Sequence, residues 1–244
     1  MSTFTAGDDA PLLRVLARYT ELDEDDRAAL MQLDTGPLCT AGGRADLARE
    51  GDHPTHIRLL VSGWACRYKD LADGRRQIVG FFLPGDFCDL NIYFTTRMDH
   101  SIGALTAARY YEIAPQQFHA VIEQRPHLLR ALLGREISAA AIQREWLLSL
   151  GRRSPRERIA HLFVELFYRL DAVGLAHQNA YDLPVTQTHL AEANGLSLVH
   201  VNRTIQDLRR EELVTLTDRR LTILDLDRLK QVAMFSGTYL DAAH

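Results

Sequence analysis

The chain has 244 residues, 46% apolar and 25% charged, the composition of a globular protein long enough to bury a core without disulfide or metal staples. Lysine and arginine number 28 against 32 aspartates and glutamates, a net charge of −4 that excludes a polycation coating nucleic acid by bulk charge. Cys39, Cys66 and Cys88 are widely spaced and form no CxxC pair, so no disulfide framework is implied and a reducing cytoplasmic compartment is expected. The acidic start MSTFTAGDDAPLLRV lacks the basic and apolar regions of a signal peptide. No apolar run approaches the ~18 residues of a membrane span, so no membrane contact is expected.

Residues 11–33 carry apolar side chains at helical spacing: Leu12, Val15, Leu16, Tyr19, then Leu30 and Leu33. From about residue 36, short apolar runs are cut by Gly51, Gly63, Gly74, Gly85 and Gly103, a spacing that predicts antiparallel β-structure. IRLLVSG and WACRYKD read as strands, ADG as a hairpin turn, RRQIVGFFL as the return strand stopped by PGD, and SIGALTAARYYEI as the close of the β-region. At Pro115 the pattern turns helical. Pro126 suits a first helical turn, and residues 127–150 predict a helix of ~24 residues, about 36 Å. Its apolar residues exceed one stripe, so it needs two packing partners, the β-domain and a second subunit. A monomer sheathing the helix in its own chain is the alternative. The seam register stays open: one frame places Glu136 and Gln143 on it, another Arg135. Gly151 ends this helix, Ser154 and Pro155 start the next, and residues 171–185 read as a polar loop.

The informative stretch is TQTHLAEANGLSLVHVNRTIQDLRREELVTLTDRRLTIL, residues 186–224. Thr186 caps a short helix ending at Ala193, Asn194-Gly195-Leu196 is a tight turn, and Ser197 caps a second helix reaching about Glu211. Val201, Ile205 and Leu208 form its buried stripe. LVTLTD, a charged turn and LTIL then predict a β-hairpin, which makes the module a winged helix-turn-helix. Val199, His200, Asn202, Arg203 and Gln206 lie away from the stripe and are the candidate base readers, since arginine, asparagine and glutamine reach base edges bidentately in a major groove. Thr186, Gln187 and Thr188, with Arg219 and Arg220 at the wing tip, are candidate DNA-backbone contacts. A solvated face on a protein-interaction module is the alternative. Residues 151–244 hold 12 basic and 12 acidic residues, so a DNA surface there requires segregation of charge rather than excess.

With these motifs in order, the chain resembles the Crp/Fnr superfamily of bacterial transcription regulators. The PGDF turn at Pro84–Phe87, the long helix, GRRSPRERIAHL and the 186–214 signature carry the resemblance. It implies an α+β protein: residues 1–115 a cyclic-nucleotide-binding-like jelly roll (double-stranded β-helix) with N-terminal helices, 116–150 the dimerisation helix region, and 151–244 the winged helix-turn-helix. The implied partners are a palindromic double-stranded operator and a second copy of the chain, with RNA polymerase and an unidentified small-molecule effector as further candidates. Arg203 matches the family's base-reading arginine, whereas Leu198 and Val199 stand where the cyclic-AMP receptor protein carries an Arg-Glu pair.

The sensor departs further. In GDFCDLNIYFTTRMDHSIGAL, Asp89 and Leu90 fall where the family's cyclic-nucleotide binders have Gly-Glu, and His100-Ser101 where they have Arg-Ser. These four residues are the candidate effector pocket. Loss of a bidentate arginine removes the strongest phosphate contact, and Asp89 adds a repelling charge, so cyclic AMP is not the expected effector. Only three cysteines exist, none before residue 39, so an Fnr-type iron–sulfur cluster is not expected either. No cofactor and no metal site is expected. Asp52-His53-Pro54-Thr55-His56, and His100 with Cys88 or His119, keep two rival readings open: a cupin-like metal enzyme and a haem- or small-molecule-binding signalling module. No enzyme motif supports catalysis.

Overall fold

The computed structural model describes residues 10–90 and 95–240. The N-terminal MSTFTAGDD and Asn91–Phe94 of the GDFCDLNIYFTTRMDHSIGAL stretch lie outside the described residues. The described residues divide into two compact units, the first comprising 10–69 and 81–137, the second 70–80 and 138–240. The division falls inside the long helix, after Ile137.

The first unit opens with α1 (Pro11–Ala17) and α2 (Glu24–Met31). Asp23 caps α2: the Asp26 amide donates to Asp23 Oδ1 at 2.7 Å, and the Asp23 amide donates back to Asp26 Oδ2 at 3.1 Å. Among the described residues seven strands follow: β1 (Leu38–Ala41), β2 (Asp46–Ala48), β3 (Ile57–Ser62), β4 (Ala65–Asp70), β5 (Arg76–Phe82), β6 (Ser101–Ala104) and β7 (Ala108–Ile113). They form a three-stranded sheet in the order β1-β7-β3 and a four-stranded sheet in the order β2-β6-β4-β5. The registered pairs are antiparallel, with Leu60 opposite Tyr110 and Cys66 opposite Gly103. One buried cluster draws on both sheets: Leu60 and Ala108 from the first, Ala65, Phe82, Ile102 and Ala104 from the second. This is the expected jelly roll. Gly85 of the PGDF turn has φ +92°, and a Cβ there would lie 2.7 Å from the Pro11 carbonyl carbon, so no other residue fits without movement. A second cluster, with Leu16, Leu30, Ile113, Phe118 and Leu128, lies under α1, α2, α3 (Pro115–Gln124) and the start of α4 (Leu128–Arg152).

With 25 residues, α4 is about 37 Å long and runs through Gly151 rather than ending there. Its buried side holds Leu128, Ala131, Leu132 and Trp146, while Leu129, Leu133, Ile137 and Leu147 are 46, 55, 66 and 72% exposed. Arg135 is drawn off the exposed stripe by ion pairs with Asp86 (3.1 Å) and Glu136, and by a hydrogen bond to the Phe87 carbonyl. The exposed stripe therefore runs through Leu129, Leu133, Ile137, Ala140, Arg144 and Leu147.

In the second unit, Ser154 and Pro155 start α5 (Pro155–Asp171) with a reciprocal Ser154–Glu157 capping box. Residues 171–185 are not all loop. They contain a short hairpin, β8 (Ala176–His177) and β9 (Ala180–Asp182), turned by Gln178 and Asn179 at positive φ. The hairpin extends the wing, β10 (Val214–Thr217) and β11 (Arg220–Ile223), into a four-stranded sheet in the order β10-β11-β9-β8. It is anchored by Tyr181, fully buried, whose hydroxyl donates to the Phe163 carbonyl at 2.9 Å. A terminal helix, α8 (Leu226–Ala233), packs on α5. A buried polar network joins α5 to Trp146 of α4 and to Tyr239 beyond α8. Glu165 accepts from Trp146 Nε1 at 3.1 Å and from the Tyr239 hydroxyl at 3.2 Å, and the His161 ring stacks on Tyr239.

Candidate nucleic-acid interface

The helix-turn-helix is α6 (Gln187–Asn194), a turn at Gly195, and α7 (Leu198–Arg210). Three local devices fix it. Thr186 Oγ1 accepts from the His189 amide at 3.2 Å, and His189 Nδ1 accepts from the Thr186 amide at 3.2 Å. Gly195 takes the left-handed conformation at φ 60°. Ser197 Oγ accepts from the His200 amide at 3.3 Å, so α7 starts with one of its free amides satisfied. Arg158 on α5 donates to the Asn194 carbonyl at 2.9 Å and ties the turn to the scaffold. Arg158 had no place in the sequence reading. No local pattern marks a contact 36 residues away.

Val201, Ile205 and Leu208 are at most 4% exposed and hold α7 on the core. The opposite face presents Val199, His200, Asn202, Arg203 and Gln206, all exposed. Val199 is 76% exposed. Arg203 is exposed and makes no hydrogen bond or ion pair among the described residues. Asn202 Nδ2 donates to Gln187 Oε1 at 3.4 Å, linking a candidate base reader to a candidate backbone contact on α6. His200 Nδ1 pairs with the Ser197 hydroxyl. Thr186, Gln187 and Thr188 lie exposed at the start of α6. At the wing tip Asp218 and Arg219 both have positive φ, 51° and 61°, a turn suited to a tight hairpin. Arg219 is exposed there, while Arg220 is paired with Asp182 at 2.9 Å. The arrangement can place one helix in a groove with arginines beside it.

The four candidate pocket residues of the jelly roll are engaged within the chain. Asp89 is 1% exposed; its carboxylate accepts from the Arg58 amide and guanidinium, both at 2.7 Å. The repelling charge expected there is therefore compensated, by a partner 31 residues away that the local sequence does not reveal. Burial raises the Asp89 carboxyl above its usual value despite Arg58. Leu90 packs against the apolar cluster under the N-terminal helices. His100, 5% exposed, pairs with Asp99 through Nδ1 at 2.7 Å and accepts at Nε2 from Arg67 Nε at 3.1 Å. Burial and the Arg67 charge lower its pKa, which favours the neutral ring. Ser101 Oγ accepts from the Glu50 amide at 2.9 Å. Arg67, absent from the sequence reading, lies over the Phe82 ring with 5.2 Å from Cζ to the centroid. No alternation marked it, since β4 buries Ala65 on one face and Cys66 and Tyr68 on the other. Among the described residues no group of three or more His, Cys, Asp or Glu could hold a metal ion, and no helix is long and apolar enough to cross a membrane.

Comparison with known proteins agrees with this layout. Residues 44–125 match the cyclic nucleotide-binding domain family and residues 157–232 the Crp-like helix-turn-helix domain family. The chain is 31% identical over 229 residues to the transcriptional activator protein FnrL of Cereibacter sphaeroides, covering 92% of this chain and 90% of that one. It is 34% identical over 184 residues to the nitrogen fixation regulation protein FixK of Bradyrhizobium diazoefficiens, covering 75% and 76%. Among solved structures it shares the fold of FixK2 from Bradyrhizobium japonicum, with a TM-score of 0.74 and 21% identity, covering 83% of this chain and 99% of that one.

Proposed function

The chain belongs to the Crp/Fnr family of transcription regulators, and from that premise we propose that it acts as a cytoplasmic homodimer reading a palindromic operator through α7. The similarity to a transcriptional activator, FnrL, supports a regulator over the metal-enzyme reading of the roll. The observation that carries the proposal is Arg203, exposed and unpaired among the described residues on a capped helix held by its opposite face. Gln206 stands one turn beyond it and Val199 one turn before. Thr186, Gln187, Thr188 and Arg219 flank the helix as phosphate contacts. Arg220, already neutralised by Asp182, contributes less. RNA polymerase is a further partner in this reading. Footprinting on genomic fragments tests it. Two protected half-sites about one helical turn apart, ~34–36 Å, are the expected pattern, and a single unpaired patch would contradict the two-fold arrangement.

The exposed stripe on α4 supports the dimer. Leu129, Leu133, Ile137 and Leu147 form a seam that only an apolar partner desolvates, and a second copy offers the same seam. Light scattering at micromolar concentration is expected to give twice the 27.6 kDa chain mass. Leu133→Glu with Ile137→Glu should return the chain mass and weaken operator binding. A monomer mass for the parent would sink this part of the proposal.

The effector is not cyclic AMP in this reading. Leu90 supplies no carboxylate for a ribose, both His100 ring nitrogens are occupied, and Ser101 already serves the Glu50 amide. Calorimetric titration with cyclic AMP is expected to show no binding at micromolar ligand. A micromolar dissociation constant would overturn the assignment. Another small molecule in the roll remains compatible with these contacts.

A further inference from the structure

We propose that Val199, with Leu198 beside it, reads thymine through its C5-methyl group, so that each half-site carries a required thymine near the guanine that Arg203 reads. The inference rests on the placement of α7 in the groove. Both residues sit in the first turn of α7, directly after the Ser197 cap, and that end of a recognition helix is the part that meets base edges. Leu198 is 51% and Val199 76% exposed, although the helix is already held by Val201, Ile205 and Leu208. Both leave apolar surface in water at the tip of an otherwise polar face.

The surroundings select the occupant. Arg203, Arg209 and Arg210 on the same helix, and Arg219 on the wing, are exposed and suit a polyanion rather than an apolar peptide. Within the major groove the apolar feature among the base edges is the thymine methyl, and the accepted match for it is an aliphatic side chain. The exposed face of α7 also lacks a free carboxylate: its one acidic residue, Asp207, is paired with Arg210 at 2.9 Å. A cytosine amino group would find no charged acceptor there. Val199 precedes Arg203 by four residues, about 6 Å of helix rise, so the methyl falls within about two base-pair steps of the guanine.

The test uses the full chain and the duplex it enriches from random-sequence DNA. Each half-site thymine is replaced in turn by deoxyuridine, which removes the methyl and leaves the pairing edge intact. One buried methyl corresponds to about a fourfold loss of affinity, expected for the parent at one or two thymines beside the guanine. Val199→Ala should bind the thymine duplex several-fold more weakly and become indifferent to deoxyuridine there, while Val199→Ile keeps the parent's sensitivity. Both substitutions are at an exposed position, so folding is preserved. A parent indifferent to deoxyuridine at every thymine, or a Val199→Ala chain as sensitive as the parent, overturns the methyl contact while leaving α7 in the groove. Failure of the chain to enrich any sequence overturns the contact and its premise together.

Discussion

Arg203→Ala is expected to weaken binding to the enriched operator by about 1–3 kcal/mol, roughly 5- to 150-fold, and to relax preference at one base pair in each half-site. The guanidinium has no partner among the described residues, so its removal orphans no acceptor in the free protein, and the loss arises in the complex. A planar fork donates two hydrogen bonds to a guanine edge, which lysine cannot reproduce, so Arg203→Lys should rescue little. Thr188→Val and Arg219→Ala should behave differently. They remove phosphate contacts and should weaken operator and scrambled DNA by about the same factor, with a shallower salt dependence for Arg219→Ala. A binding series on both DNAs at two salt concentrations separates the cases. If Arg203→Ala weakens both DNAs equally, Arg203 is a phosphate clamp and the base-reading assignment fails.

The DNA-binding unit should lose stability steeply as the pH falls below 6.5, through His161. This ring is 2% exposed, between Phe235 and Tyr239 on one side and, on the other, Glu145 of α4 paired with Arg153 just beyond that helix. Burial, reinforced by the Arg153 charge, lowers its pKa from 6.5 to about 3. The unfolded chain therefore binds a proton that the folded chain refuses. The stability is intact above pH 6.5 and is lost at about 1.4 kcal/mol per pH unit on the way down, about 2 kcal/mol by pH 5. Glu165 on the same helix works in the opposite sense, because burial raises its carboxyl. The difference between parent and His161→Gln isolates the histidine. Urea unfolding followed at Trp146 from pH 8 to pH 5 should show the parent losing stability faster than the variant. Parallel curves would show that His161 takes up its proton in the folded state.

The layout of the chain was legible where local chemistry decides it. Ser154-Pro155, Thr186 and Ser197 announce helix starts because a short side-chain oxygen satisfies an amide within the same few residues. The Pro84–Phe87 turn and Gly195 announce themselves because few residues tolerate those backbone angles. The stripe of Val201, Ile205 and Leu208 follows from helical period alone. The features that escaped depend on distant partners. The hairpin of β8 and β9 is too short for an alternation to register and exists because the wing offers it an edge. The α4 seam could not be chosen from its sequence, since Arg135 leaves the exposed stripe only by pairing with Asp86 of the roll. Asp89 read as a repelling charge because its compensating Arg58 lies on another strand, and His100 read as an open pocket residue because Arg67 is likewise remote in sequence. The candidate readers on α7 were legible from helical period, because they fall on the exposed face opposite the buried stripe.

The most direct test of sequence-specific reading is a competition titration of the full-length chain on its enriched duplex, challenged by the same duplex in scrambled order at physiological salt. The expected result is a preference of at least about a thousandfold for the enriched duplex, the lower end for specific regulators. A ratio near one would contradict the account, for it would mean that the exposed face of α7 meets DNA only through its charge.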